Sequence, residues 1–289
     1  MRTENEPRLG IIASNGVCLH VAEAGPADGP LLILLHGFPE FWYGWRHLIG
    51  PFAAAGYHVV VPDQRGYNLS DKPGRISAYR LDLLAGDVIG LADHFHAPRV
   101  FLAGHDWGAI VTWWVAQTYP ARVARSVTLS AGHPAVWKWH IRHDPTQRRL
   151  SRYVSIFQLP WLPELAIRRN DFKLLADAVC DSAAPNAFTA EDLARYRAAW
   201  KQKGALRGAL NWYRAIWRED LAPPSSYRLH PPMLMLWGEH DKYGTRRLGE
   251  ESIRLCDDGR LEIIADGSHW LLRDRPEEVG ARMRTFFGQ

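Results

Sequence analysis

Short apolar runs rich in Leu and Val alternate along the first 130 residues with longer stretches whose apolar positions recur every three or four residues. A run of about five apolar residues suits a strand buried on both faces, and the longer period suits a helix packed against it. The pattern therefore predicts a mostly parallel sheet flanked by helices, an α/β class of fold. Leu31–His36 reads as the first strand, ending at Gly37-Phe38-Pro39. Trp45–Ala55 reads as a helix, and Tyr57–Val61 as the next strand before Pro62. Leu81, Leu84, Val88, Leu91 and Phe95 mark one face of a helix, with Ser77 as its expected cap. Val100–Ala103 is a further strand, followed by the sharp turn Gly104-His105-Asp106-Trp107-Gly108 and a helix to about Thr118 that Pro120 closes. Arg125–Ser130 gives the next strand.

From about His133 to His230 the alternation stops, and the chain becomes helical and aromatic, with Trp137, Tyr153, Phe157, Trp161, Trp200, Trp212, Tyr213 and Trp217. It resumes with strand Met233–Trp237, a helix around Arg246–Leu255, strand Leu261–Ile264 and a last helix Pro276–Phe287. This predicts a core domain of residues 1–133 and 230–289, with a helical cap of residues 134–229 inserted into it. No internal repeat or low-complexity tract is visible, which removes solenoids.

Composition narrows the function classes. Of 289 residues, 47% are hydrophobic, enough for a substantial core. No apolar run approaches the length of about 18 residues that spans a bilayer, so no membrane insertion is expected. Met1–Gly10 mixes Arg2, Glu4, Glu6 and Arg8 without an apolar block, unlike a secretory signal, and the expected location is cytoplasmic. Cys18, Cys180 and Cys256 are too far apart for metal-ligand spacing and are expected as reduced thiols. Lys and Arg outnumber Asp and Glu by 35 to 31 without forming a basic stripe, so nucleic acid is not an expected partner. His94, His96 and the group His140, His143 and Asp144 are expected to be solvated side chains rather than metal ligands. No phosphate-cradling glycine loop or zinc motif occurs, so no cofactor and no metal are implied.

The chemistry centres on the glycine-flanked turn. Small-x-nucleophile-x-small between a strand and a helix is a nucleophile elbow, and here the exposed side chain is Asp106. An ordinary strand-to-helix connection with Asp106 as a simple cap is the alternative. Asp241, after the strand that ends in Leu236-Trp237-Gly238, and His269, in Gly267-Ser268-His269-Trp270, fall at the ends of the last two core strands. A serine attacking an sp³ carbon would leave an ether that the site could not hydrolyse. An aspartate leaves an alkyl ester, which water activated by a His269–Asp241 pair can cleave. The electrophile expected for such a carboxylate is an epoxide or an alkyl halide.

Four motifs in order, His36-Gly37-Phe38-Pro39-Glu40, Asp63-Gln64-Arg65-Gly66-Tyr67, Gly104-His105-Asp106-Trp107-Gly108 and Ser268-His269-Trp270, make the chain resemble the soluble epoxide hydrolases of the α/β-hydrolase fold. The similarity runs over nearly the whole chain. It implies a triad of Asp106, Asp241 and His269, with Tyr153 and Tyr213 of the cap donating hydrogen bonds to the epoxide oxygen. It also implies an oxyanion hole from the backbone N–H groups of Phe38 and Trp107, and a cis bond before Pro39. Glu40 and His105 match positions that help hold the hydrolytic water, although surface or supporting packing fits them as well, and His36 and Pro39 support the same loop. Tyr196 and Tyr227 lack such context and are read as packing or surface residues. The partners implied are a small apolar epoxide and water.

Haloalkane dehalogenases share the aspartate, the histidine and a tryptophan after the nucleophile. Many place Asn where this chain has Phe38, whose side chain has no donor for a halide. Fluoroacetate dehalogenases carry arginines just after the nucleophile, where this chain has Trp107, Ala109 and Ile110. A ligand receptor on a hydrolase fold is the non-enzyme alternative. Ala109 in place of a second glycine departs from the commonest epoxide-hydrolase elbow by one methyl group. The natural epoxide and its stereochemistry are not legible. The oligomeric state, monomer or homodimer, turns on whether the cap aromatics pack internally or across an interface.

Overall fold

Strands β1 (Arg8–Ser14), β2 (Val17–Ala24), β3 (Leu31–Leu35), β4 (His58–Pro62), β5 (Val100–His105), β6 (Val123–Leu129), β7 (Met233–Gly238) and β8 (Gly259–Ile264) form one sheet in the order β1-β2-β4-β3-β5-β6-β7-β8. β2 runs antiparallel to β1 and β4, and every other neighbouring pair is parallel. The computed structural model describes residues 6–218 and 226–288. Parts of the Met1–Gly10 reading and of the 134–229 cap assignment lie outside the described residues.

The unbroken apolar run of β3 has a direct cause. Leu31, Ile33 and Leu35 project into one apolar cluster with Leu84, Val88 and Val111, while Leu32 and Leu34 project into another with Leu48, Phe52 and Met283. Helices α1 (Arg46–Ala54), α2 (Leu81–His94) and α3 (Trp107–Thr118) supply these partners, together with the C-terminal helix. The sheet is thus covered on both faces, as the period-based reading expects.

Two expectations need correction. The β1–β2 hairpin was not expected, although its turn is Asn15-Gly16, with φ of 47° and 76°, the left-handed pair that a two-residue hairpin demands. Leu9 and Ile11 of β1 are exposed and only Ile12 and Ser14 of this edge strand are buried, so its apolar residues do not alternate with burial and the pattern leaves it unmarked. Ser77 does not cap α2. It lies in a 3₁₀ turn, Ile76–Tyr79, and the extended residue Arg80 precedes the helix without a side-chain cap. Asp82 in the first turn offers the helix N-terminus a carboxylate instead.

Between β6 and β7 lie α4 (Pro134–His143), α5 (Pro145–Leu150), α6 (Arg152–Phe157), α7 (Leu162–Ser182), α8 (Ala190–Lys201) and α9 (Ala205–Arg218). α7 is broken at Arg169–Phe172, where Asn170, Asp171 and Phe172 have φ of 49°, 54° and 60°. Ile167, Leu175 and Val179 of α7 join Tyr196 and Trp200 of α8 in an apolar cluster that reaches Phe41 and Trp270. The chain then adds α10 (Arg246–Ile253), α11 (Leu271–Asp274) and α12 (Pro276–Phe287).

His140 is fully buried rather than solvated: its Nε2 lies 2.8 Å from Glu251 of α10 and its Nδ1 3.3 Å from Asp144. Burying this ring between two carboxylates ties α4 to the core. His94, His96 and His143 are exposed. Among the described residues no cluster of His, Cys, Asp or Glu is arranged to hold a metal ion, and no helix is long and apolar enough to cross a membrane.

Candidate active site

Asp106 sits between β5 and α3 with φ 51° and ψ −117°, a conformation that non-glycine residues adopt only under constraint. Crowding supplies the constraint. A Cβ at Gly108 would lie 2.1 Å from the carbonyl oxygen of Leu35, and one at Gly37 would lie 2.4 Å from Cβ of Asp106 itself. Only hydrogen fits at either position, so the glycines are what let the elbow press against the end of β3. Ala109 is buried without disturbing this packing. The carboxylate of Asp106 makes no capping bond to α3, which removes the simple-cap alternative.

Instead, Oδ1 of Asp106 accepts a hydrogen bond from the backbone N–H of Phe38 at 2.8 Å, and Oδ2 lies 3.5 Å from Nε2 of His269. Nδ1 of His269 meets Oδ2 of Asp241 at 2.9 Å. The other Asp241 oxygen accepts from the backbone N–H groups of Tyr243 at 2.7 Å and Gly244 at 3.0 Å. Asp241 is thereby held from below, with one oxygen fixed and the other aimed at the imidazole. Trp107 opens α3, so its N–H is one of the helix's first amides, which have no intrahelical acceptor. The Phe38–Pro39 bond is cis.

Burial alone would discharge His269, but the Asp241 charge and the Asp106 carboxylate override it and raise its pKa to about 10. Asp106 shows the mirror image. Burial favours its acid form, yet the hydrogen bond and charge of His269 outweigh burial and lower its pKa. The resting site is therefore an ion pair at neutral pH.

Tyr153 of α6 and Tyr213 of α9 reach the same place, their ring centroids 5.8 Å apart. The Tyr213 ring also packs edge-on against Trp107 at 4.9 Å and Phe38 at 5.4 Å. Burial above all, reinforced by the Asp106 charge, holds both phenols well above their ordinary pKa, so they stay protonated as donors. Both tyrosines, with Asp106 and His269, line a cavity of about 280 Å³ whose remaining wall is apolar.

The supporting residues are more deeply integrated than their sequence suggested. Nε2 of His36 accepts from the N–H of Gln64 at 2.9 Å, which assigns the ring hydrogen to Nδ1, 2.9 Å from the Gly37 carbonyl. This joins the loops after β3 and β4. The Pro39 carbonyl accepts from Nε1 of Trp200 at 2.6 Å, tying the same loop to α8. Glu40 is 2% exposed, which excludes the surface reading. Its Oε2 meets Nδ1 of His105 at 2.9 Å, and Nε2 of His105 meets the backbone carbonyl of His269 at 2.9 Å.

Sequence reasoning missed Tyr196, Arg273 and Tyr243. Tyr196 is not idle packing: its buried hydroxyl donates to Oε1 of Glu40 at 2.6 Å and accepts from Nη2 of Arg273 at 2.7 Å. A buried Glu40 needs donors and a nearby cation, and that requirement was the signal available. Tyr243, two residues after Asp241, stacks edge-on against His269 at 4.8 Å, while its hydroxyl lies 3.1 Å from Oγ of Ser182. Tyr227 is exposed, as expected.

Comparison with known proteins agrees with this geometry. A family model described as the alpha/beta hydrolase fold matches residues 30–276. The chain is 46% identical over 268 residues to the AB hydrolase superfamily protein YfhM of Bacillus subtilis (strain 168), covering 93% of each. It is 35% identical to Epoxide hydrolase 2 of Caenorhabditis elegans over 94% of this chain and 77% of that protein. The crystal structure of Epoxide Hydrolase A from Mycobacterium thermoresistibile superposes with a TM-score of 0.84 at 30% identity, covering 97% of this chain and 98% of that one. Such identity over almost the full length exceeds what a shared architecture requires, and the chain belongs to the α/β-hydrolase fold family, on the branch that carries the epoxide hydrolases.

Proposed function

We propose that the protein converts epoxides to vicinal diols through a covalent ester on Asp106, with residues 134–229 acting as a cap that carries the acid groups. One observation carries the reading: a carboxylate at the elbow, paired to a His269–Asp241 couple, shares an apolar cavity with two protonated phenols from α6 and α9. Oδ2 of Asp106 attacks an epoxide carbon, and the C–O bond that breaks leaves an alkoxide between Tyr153 and Tyr213. A phenol protonates it. Those donors supply the stabilisation that an unassisted alkoxide lacks in a dry site.

Alkylation also arms the second step. Once Asp106 is an ester its negative charge is gone, and with it part of what raises the His269 pKa. His269 can then return its proton to the phenol and become the neutral base that deprotonates water. Hydroxide adds to Cγ of Asp106, and the oxyanion develops at Oδ1, where the Phe38 N–H already stands and the Trp107 N–H is free of helix bonding. Collapse expels the diol alkoxide, which takes the proton from His269. The new carboxylic acid then passes its proton to His269 and restores the ion pair. Glu40, His105 and Tyr196 brace the His269 backbone from behind.

A single turnover in heavy-oxygen water tests the ester. Unlabelled diol and labelled Asp106 are expected, whereas label in the first diol would mean direct attack by water. Parallel assays of haloalkanes for halide release test the dehalogenase alternative, and tight epoxide binding without any turnover would support a receptor.

A further inference from the structure

The reacting centre separates two chambers of unequal size. Asp106, Tyr153, Tyr213, Tyr243 and His269 line both, and beyond these the two walls share no residue. The larger measures about 280 Å³ and the smaller about 40 Å³. A cavity needs about 10–15 Å³ of such space to hold one water and about 150 Å³ to take a benzene ring, so the smaller chamber has room for two or three waters or a short alkyl group and falls well short of an aromatic ring.

Resting on the epoxide reading above, we propose that the substrates are epoxides substituted on one side: one carbon carries an extended apolar group, and the other carries only hydrogen or a short alkyl group, terminal epoxides being preferred. The large chamber takes the apolar arm. Its wall includes Phe157, Ile167, Leu175 and Val179, and apart from Asp106 and His269 no charged side chain among the described residues lines it. Ile156 and Leu174 line it while remaining 50% and 56% exposed, so its mouth lies between α6 and α7. An arm directed there meets open solvent rather than a wall, and its length is not tightly limited.

The small chamber cannot relax in the same way. Trp107, Ile110, Trp237 and Leu248 wall it, each at most 5% exposed and packed into the sheet's own apolar cluster. Close-packed interiors do not yield the volume of a second aromatic ring. Its one feature of different character is Ser130, 4% exposed, whose buried Oγ has no hydrogen-bond partner. A water in the chamber would satisfy that hydroxyl beside His269. A substrate with only hydrogen on its second carbon leaves room for this water, whereas a bulky second substituent must displace it as well as overfill the space.

The test is a matched set of styrene oxide, trans-β-methylstyrene oxide, trans-stilbene oxide and phenylglycidate, with kcat/KM for diol formation measured on each. Styrene oxide should lead, the methyl derivative should fall by a few fold, and stilbene oxide should fall by roughly 100-fold or more. Phenylglycidate should also be poor, since among the described residues no Lys or Arg lines either chamber. Leu248→Ala and Ile110→Ala, each checked for folding by thermal melting, should raise the stilbene-to-styrene ratio by about tenfold. Stilbene oxide turned over as fast as styrene oxide, or a ratio unmoved in two folded variants, would overturn the two-chamber inference while leaving the epoxide reading intact. Failure of all four compounds with a folded enzyme that releases halide from haloalkanes would overturn both.

Discussion

The floor and the roof of this site are built by different physics. The floor, Asp106, Asp241 and His269, stands at the ends of parallel strands and is fixed mainly by backbone groups: Phe38 N–H on Asp106, and Tyr243 and Gly244 N–H on Asp241. The roof, Tyr153 and Tyr213, and the Tyr196 that braces the site from behind come from three separate helices whose positions depend on side-chain packing around α7 and α8. Backbone-fixed groups hold their geometry with the sheet, whereas roof groups move whenever a helix repacks. Floor residues are therefore expected to act all or none, and roof residues by degrees.

The largest effect should come from the floor. Asp106→Ala removes the proposed nucleophile, and diol formation should fall by about 10⁴-fold or more. His269→Gln should instead stop after alkylation, and intact mass should rise by one substrate. Rapid multiple turnover by either variant would dissolve the distinction between floor and roof. Next come the phenols. Tyr153→Phe or Tyr213→Phe should each slow alkylation by about 10- to 100-fold, and the double variant by about 10³-fold or more, with little change in melting temperature. Pre-steady-state alkylation rates decide this, and a double variant near parental speed would assign the acid elsewhere.

A third outcome concerns pH. The folded pKa of His269 lies above its unfolded value of 6.5, at about 10, so its ion pairing stabilises the fold fully below pH 6.5 and is lost as pH rises through 10. Melting temperature should fall across that window by on the order of 5–10 °C, and the fall should be shallower in His269→Gln. Equal slopes would mean that the pair contributes little. The smallest expected change is in Tyr196→Phe, which strips one donor from a buried carboxylate and should cost about 1–3 kcal/mol. Ester hydrolysis should slow by several fold while alkylation holds, since Glu40 acts on His269 through His105. A single-turnover experiment separates the two steps, and equal slowing of both would reduce Tyr196 to packing.

The same contrast explains what could be read from sequence. Strand ends are marked by period and by glycines whose crowding leaves no choice, so Asp106, Asp241 and His269 fall at their predicted positions. Roof positions follow from how helices meet, which no period encodes. Family resemblance points to Tyr153 and Tyr213, whereas no local pattern marks Tyr196, equally polar and equally aromatic. Its meaning depends on Arg273, 77 residues away. The β1–β2 hairpin was missed for a different reason: its outer strand buries little, so hydrophobic period was silent while the Asn15-Gly16 turn was informative.

His105 has an acceptor at each ring nitrogen, the Glu40 carboxylate on one side and the His269 carbonyl on the other. Burial presses Glu40 toward its acid form, but hydrogen bonds from His105 and Tyr196 prevail and lower its pKa. One flat, fully buried ring thus spans the distance from a carboxylate held by the helices to the backbone of His269. It works as a strut: a shift of Glu40 is delivered to the main chain that carries the imidazole, with no soft side chain in between to absorb it. In a nitrogen-15 spectrum of histidine-labelled protein, Glu40→Gln should therefore move the His269 ring signals, although Glu40 touches neither of its ring nitrogens.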